Sequence, residues 1–304
     1  MNDRRPLSDE GRLLILLSLL EPRPAERSEI ERLFAAPLDY DRFDRLVRVN
    51  HHRPWILGQM EALGHRDRLP ETYAVEWRCE RDSVRSDLER RFVPVHALLE
   101  RLDSEGITVA LLGGTAIADR IYGNPFYKRS ESVDLLAREK DLPRIRELGN
   151  ETGFFLSGGT VRTRLGPPRI DPDSIWSRVD EIAFRGVPVK MLSPEDALLQ
   201  LGWDLGFFKT DLKDLADLSN LLRYFRGRFS YDRFVENSIS SGASSRAYHA
   251  LALSNRLDPT DEVSAALVKL RPSAGRFSVA AVGKKTESMD DFLEMSVDWI
   301  WKVT

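Results

Sequence analysis

Apolar residues recur every three to four positions through the first hundred residues and again through the last hundred; only between these stretches do they gather into short runs bounded by glycine. The spacing predicts a helix over 9–21, capped by Ser8 and ended by Pro22 and Pro24. Ile30, Leu33 and Phe34 share one side of a short helix over 27–35. Phe43, Leu46 and Val47 mark a third helix, entered at Asp39 or Asp41, and Pro54 opens a fourth that Gly64 stops. From 70 to 102 one long amphipathic stripe runs through Tyr73, Trp77, Leu88, Phe92 and Leu102, with Pro94 predicting a kink or a division.

The middle of the chain changes period. A strand is predicted over 107–112, then a turn at Gly113-Gly114, a helix over 115–122, a loop over 123–129 and a second strand over 133–137. A helix follows over 139–151, stopped near Gly153. Two hairpins are expected, one joining 154–156 to 160–165 through Ser157-Gly158-Gly159, the other joining 176–184 to 187–191 through Arg185-Gly186, with 167–172 a rigid connector between them. Ser193-Pro194-Glu195-Asp196 combines an N-cap, a proline at the first helical position and first-turn acids, so a helix should run from there to Phe207. Further helices are predicted over 209–225, 231–238, 244–254 and 260–270, then a polar loop over 272–287. A last helix is expected over 290–302, its face of Phe292, Met295, Trp299 and Ile300 docking on the body, on a partner protein or on a second copy in a homodimer. The chain thus divides into a helical region (1–104), a small mixed-sheet α/β core (105–192) and a second helical region (193–304), an α+β class.

Composition narrows this picture in three ways. A net charge of -3, with both signs mixed and no basic patch interleaved with aromatics, argues against a nucleic-acid partner. A single cysteine, Cys79, excludes an intramolecular disulfide and a cysteine zinc cluster and fits a reducing cytoplasm. The apolar run 13–20 follows Arg4 and Arg5, but Asp9 and Glu10 precede it and it is too short to span a bilayer; it is expected to be a buried helix, not a signal peptide, and no membrane association is expected. His51, His52 and Arg53 read as a polar helix end, because adjacent helical residues point about 100° apart and do not converge on one ion.

The chemistry gathers in 109–137. Leu111-Leu112-Gly113-Gly114-Thr115-Ala116 is followed by Tyr122-Gly123-Asn124-Pro125 and then by Arg129-Ser130-Glu131-Ser132-Val133-Asp134-Leu135-Leu136-Ala137. In order and spacing these residues resemble the nucleotidyltransferase superfamily of the DNA polymerase beta fold, closest to its bacterial branch of uncharacterised nucleotidyltransferase-like proteins. That branch reads L-L-K-G-x-A-L-A, Y-G-D-P and R-P-x-x-D-I-D-L-L-V at the same places.

The resemblance implies a core strand carrying two acids at alternate positions, which point to one side and hold Mg²⁺ ions bridging the NTP phosphates. Here the first acidic position is Ser132, a poor ligand for a hard cation, and Asp134 alone remains. The strand where a third carboxylate belongs, 160–165, has no acid and carries Arg162 and Arg164; Asp180 or Glu181 is the nearest replacement. The run Lys213-Asp214-Leu215-Ala216-Asp217-Leu218 resembles a segment that packs beside the nucleotide cleft in related families, and equally reads as an ordinary amphipathic helix.

Two functions follow from the resemblance. In the first, the protein is a degenerate member whose metal-dependent transfer is lost or reduced, and which binds a nucleotide, a peptide or a partner protein. In the second, it is an active transferase moving NMP from an NTP to a small-molecule, peptide or protein hydroxyl. Gly113, Gly114 and Thr115 would then hold the phosphates, Lys128, Arg129, Arg162 or Arg164 would steady their charge, Asp134 would ligate Mg²⁺, and Ser132 would stand at the lost catalytic position.

Overall fold

The computed structural model describes residues 7–127, 132–165, 172–205, 211–275 and 292–293. Five helices come first: α1 (Asp9–Ser18), α2 (Pro24–Ala35), α3 (Tyr40–Val49), α4 (Arg53–Ala62) and α5 (Glu71–Ser104). Their starts follow from local chemistry. The Ser8 hydroxyl accepts from the Gly11 N–H, the Asp39 carboxylate accepts from the Arg42 N–H, and prolines occupy the first turns of α2 and α4. Pro94 does not divide α5, which runs unbroken for 34 residues. Val95, Leu98, Leu99 and Leu102 just beyond it are almost wholly buried, so packing holds the helix across the lost hydrogen bond.

The core follows as β1 (Val109–Leu112), α6 (Gly113–Arg120), β2 (Val133–Ala137), α7 (Leu142–Glu151), β3 (Gly159–Arg162), α8 (Pro172–Trp176), β4 (Asp180–Phe184) and β5 (Val187–Met191). The sheet order is β3-β2-β1-β5-β4, with β1–β2 and β4–β5 antiparallel and β1–β5 and β2–β3 parallel. The second expected hairpin forms, and its two loop residues Arg185 and Gly186 both have positive φ, as a two-residue loop requires.

The first expected hairpin does not form. Residues 153–158 are turns, and β3 pairs in parallel with β2 after α7 crosses over. The reason is Phe154, which is fully buried; Gly159 sits beneath its ring, where a Cβ would collide with it. The glycine therefore serves packing rather than a hairpin turn. Trp176 likewise ends helix α8 instead of starting a strand, its ring covered by Arg138 at 4.6 Å.

The chain closes with α9 (Pro194–Asp204), α10 (Leu212–Tyr224), α11 (Tyr231–Ser240), α12 (Ser244–Leu257) and α13 (Asp261–Ala274). Helix α13 continues through Pro272, past the expected end at 270. Most of the expected loop over 272–287 and of the helix over 290–302 lies outside the described residues; Phe292 and Leu293 are buried against the body.

Strand alternation assigns the two faces of the sheet. Val109, Leu111, Leu135 and Ala137 pack with the end of α5 and with α7, whereas Ala110, Leu112 and Leu136 pack into a larger core. That larger core joins α1–α4 and the start of α5 to α9–α13, so these helices share one layer on one face of the sheet. Asp134 has the parity of Leu136 and points toward that layer.

Candidate functional site

The cleft opens where β1 turns into α6. Leu112 ends the strand in extended geometry and Gly113 turns the chain with φ of +61°, a conformation glycine adopts without cost. Helix α6 therefore starts at Gly113 rather than at Thr115. Gly113, Gly114, Asp134, Leu201, Asp204, Leu205, Asp214 and Asp217 line a cleft of about 160 Å³. The start of α6 contributes the two glycines, β2 contributes Asp134, α9 with its C-cap contributes Leu201, Asp204 and Leu205, and α10 contributes the last two.

Asp134 and the glycine turn thus line the same cleft. Ser132 lies two residues before Asp134, just ahead of β2, where its carbonyl accepts from the Thr115 hydroxyl at 3.4 Å. Thr115 itself is 2% exposed, so in this arrangement its hydroxyl is directed at the backbone and away from the cleft. Arg162 reaches the site and Arg164 is exposed beyond the end of β3; Lys128 and Arg129 lie outside the described residues. Asp180 and Glu181 sit on the outer strand of the opposite sheet edge, paired with Arg228 at 3.6 Å and Lys190 at 2.6 Å, so neither replaces the third carboxylate. The Lys190 ammonium holds the Glu181 carboxyl below the usual carboxylate range.

A chain of hydrogen bonds runs through the cleft. Thr160 lies opposite Asp134 in the parallel pairing, and its hydroxyl donates to Asp134 Oδ1. Arg162 Nη2 approaches Asp134 Oδ2 at 3.4 Å and Arg162 Nη1 donates to Asp204 Oδ1 at 3.0 Å. Gln200 Nε2 donates to Asp204 Oδ2, and Gln200 Oε1 accepts from the Gly113 N–H at 3.1 Å. Partial burial would lower the pKa of the Arg162 guanidinium; the hydrogen bond to Asp204 and the charges of Asp204 and Asp134 outweigh it and raise the pKa. Deeper in, the Tyr122 hydroxyl donates to Asp217 at 2.7 Å and accepts from Asn220 at 3.1 Å, and burial pushes the tyrosine pKa upward, keeping it a donor.

This arrangement does not fit Mg²⁺. Among the described residues no group of three or more Asp, Glu, His or Cys side chains is placed to hold a metal ion. Both oxygens of Asp134 face protein donors instead. The His51-His52-Arg53 run builds structure: Arg53 is 8% exposed and forks onto Asp44 at 2.6 and 2.9 Å, and Asp44 also accepts from the Trp77 indole.

Residues 36–159 match the family model described as an uncharacterised nucleotidyltransferase. Over that stretch the chain is nucleotidyltransferase-like. The matched span covers α3 to α7 and ends at the first residue of β3. Glycine turn and Asp134 therefore lie inside the nucleotidyltransferase-like stretch, whereas Thr160, Arg162, Gln200 and Asp204 lie beyond it. No curated protein and no solved structure matches the chain. The sequence had singled out Asp214 and Asp217, and it missed Gln200. Its signal was the i, i+4 pair Gln200 and Asp204 on α9, two polar residues on one face of an otherwise leucine-rich helix.

Proposed function

We propose that this nucleotidyltransferase-like protein has lost, or largely lost, metal-dependent transfer and acts by binding a ligand in the cleft. The observation that carries this reading is the state of Asp134: it has no acidic neighbour at position 132, and its oxygens are engaged by Thr160 and Arg162. Two-metal catalysis needs carboxylates free to converge on cations, which supply several kcal/mol of transition-state stabilisation. A nucleotide, a peptide and a partner protein are the ligand classes. The lining carries four carboxylates, Asp134, Asp204, Asp214 and Asp217, against the guanidinium of Arg162 that bridges the first two, so it is acidic on balance. Without a metal to neutralise its phosphates, an NTP is repelled by such a lining, so the charge favours a basic segment of a peptide or a partner protein.

Calorimetric titration with ATP, GTP, CTP and UTP, with and without Mg²⁺, tests the reading. The expected result is that Mg²⁺ confers no NTP binding on the natural chain. Mg²⁺-dependent binding that Asp134→Ala abolishes would overturn the reading and restore the transferase.

A further inference from the structure

We propose that Arg162 is the chain's own replacement for a divalent cation, a tethered guanidinium that bridges Asp134 and Asp204 and keeps metal out of the cleft. This inference rests on the reading of a degenerate site and says how the degeneracy is compensated.

Guanidinium geometry makes the bridge. Its planar fork presents N–H groups in two directions at once, and here Nη2 faces Asp134 and Nη1 faces Asp204. The remaining oxygen of each carboxylate is taken by Thr160 and by Gln200. All four oxygens of the pair therefore have a protein donor. The Gly113 amide, at the start of α6, is taken as well, by Gln200 Oε1.

Strand register explains why position 162 can do this. The parallel pairing sets Thr160 beside Asp134 and Arg162 beside Leu136, so both polar side chains lie on the face that looks toward the cleft. Two carboxylates brought together without a counter-charge repel each other and raise each other's pKa. An arginine on β3 removes that repulsion with a cation that cannot be deprotonated and that, being tethered, costs no translational entropy of binding. Arg162 thus supplies, from within the chain, the positive charge that the Asp134 and Asp204 carboxylates require.

Titration of the full chain with Mn²⁺ alone, followed by the electron paramagnetic resonance signal of the free ion, tests the proposal. The natural chain is expected to leave millimolar Mn²⁺ free. Arg162→Met keeps the aliphatic stem and removes the charge; it is expected to bind Mn²⁺ at least roughly tenfold more tightly than the natural chain, and Arg162→Met combined with Asp134→Asn is expected to lose that gain. Circular dichroism establishes that each variant folds, and Arg162→Gln replaces Arg162→Met should the latter fail to. No gain of Mn²⁺ binding in a folded variant would overturn the role of Arg162 while leaving the NTP titration of the natural chain to decide the binding reading. Asp134-dependent Mn²⁺ binding by the natural chain would overturn both.

Discussion

Gly113 stands at the mouth of the cleft with φ of +61°, while Gly114 beside it lies outside the positive-φ region. A Cβ at position 113 would lie 3.8 Å from Gln200 Nε2 and 3.9 Å from Asp134 Oδ2, ordinary contact distances, so space does not forbid a side chain there. Backbone conformation does. Gly113→Ala is expected to destabilise the fold by roughly 1–2 kcal/mol, the left-handed cost for an L-residue, whereas Gly114→Ala in the first turn of α6 should cost little. Urea denaturation of the two variants makes the comparison, and equal midpoints would show that the turn carries no strain. At this scale the sequence was informative where chemistry is local. The Gly113-Gly114 pair and the Ser132/Asp134 pattern are both legible in a few residues. Gln200 was not, since its two hydrogen bonds join α9 to a turn 87 residues earlier and to its own helix neighbour Asp204.

Helix α5 shows how packing overrides a local breaker. Pro94 lacks the N–H of a regular helix and its ring crowds the preceding turn, yet the buried face from Val84 to Leu102 keeps the helix continuous. That tolerance still has a cost. Pro94→Ala should raise stability by about 1–3 kcal/mol, read as a higher urea midpoint with an unchanged slope. An unchanged midpoint would mean that the neighbouring residues have already adapted to the proline. The turn at 153–158 carries the complementary lesson. Ser157-Gly158-Gly159 has the composition of a hairpin loop, but burial of Phe154 over Gly159 directs the chain into a parallel pairing with β2. Turn composition alone does not distinguish a hairpin from a crossover, because both need glycine at a sharp change of direction.

Across the whole molecule, a partly buried ion network ties the N-terminal helices to the C-terminal ones. Arg223 on α10 pairs with Glu26 on α2 at 2.6 Å and with Asp258 after α12 at 2.6 Å, and Arg23 completes the group through Glu26 and Asp258. Burial alone would raise the Glu26 pKa; hydrogen bonds from Arg223 and Arg23 outweigh it and bring the pKa down from 4.5 to about 2. A depressed carboxyl pKa stabilises the fold fully above the unfolded value and loses that stabilisation as pH falls toward the folded value. The protein should therefore lose on the order of 2–3 kcal/mol between about pH 5 and pH 2 through Glu26. Thermal melts of the natural chain and of Glu26→Gln across that range check this. The variant should be the less stable at pH 7, and the gap should close as the pH drops. A constant gap would assign the effect of Glu26 to packing rather than to charge.

The sequence by itself determined the helix-rich frame, the strand–glycine–helix–strand unit at 109–137, the single surviving acid and the acidic helix Asp214–Asp217, because each depends on spacing within one or two turns of chain. Tertiary structure decided which face of the sheet the helices cover, that α9 and α10 close over Asp134, and that Arg162 and Gln200 fill the positions around it. Those facts depend on register and packing between elements far apart in sequence, where loop closure and burial, not local propensity, select the partners.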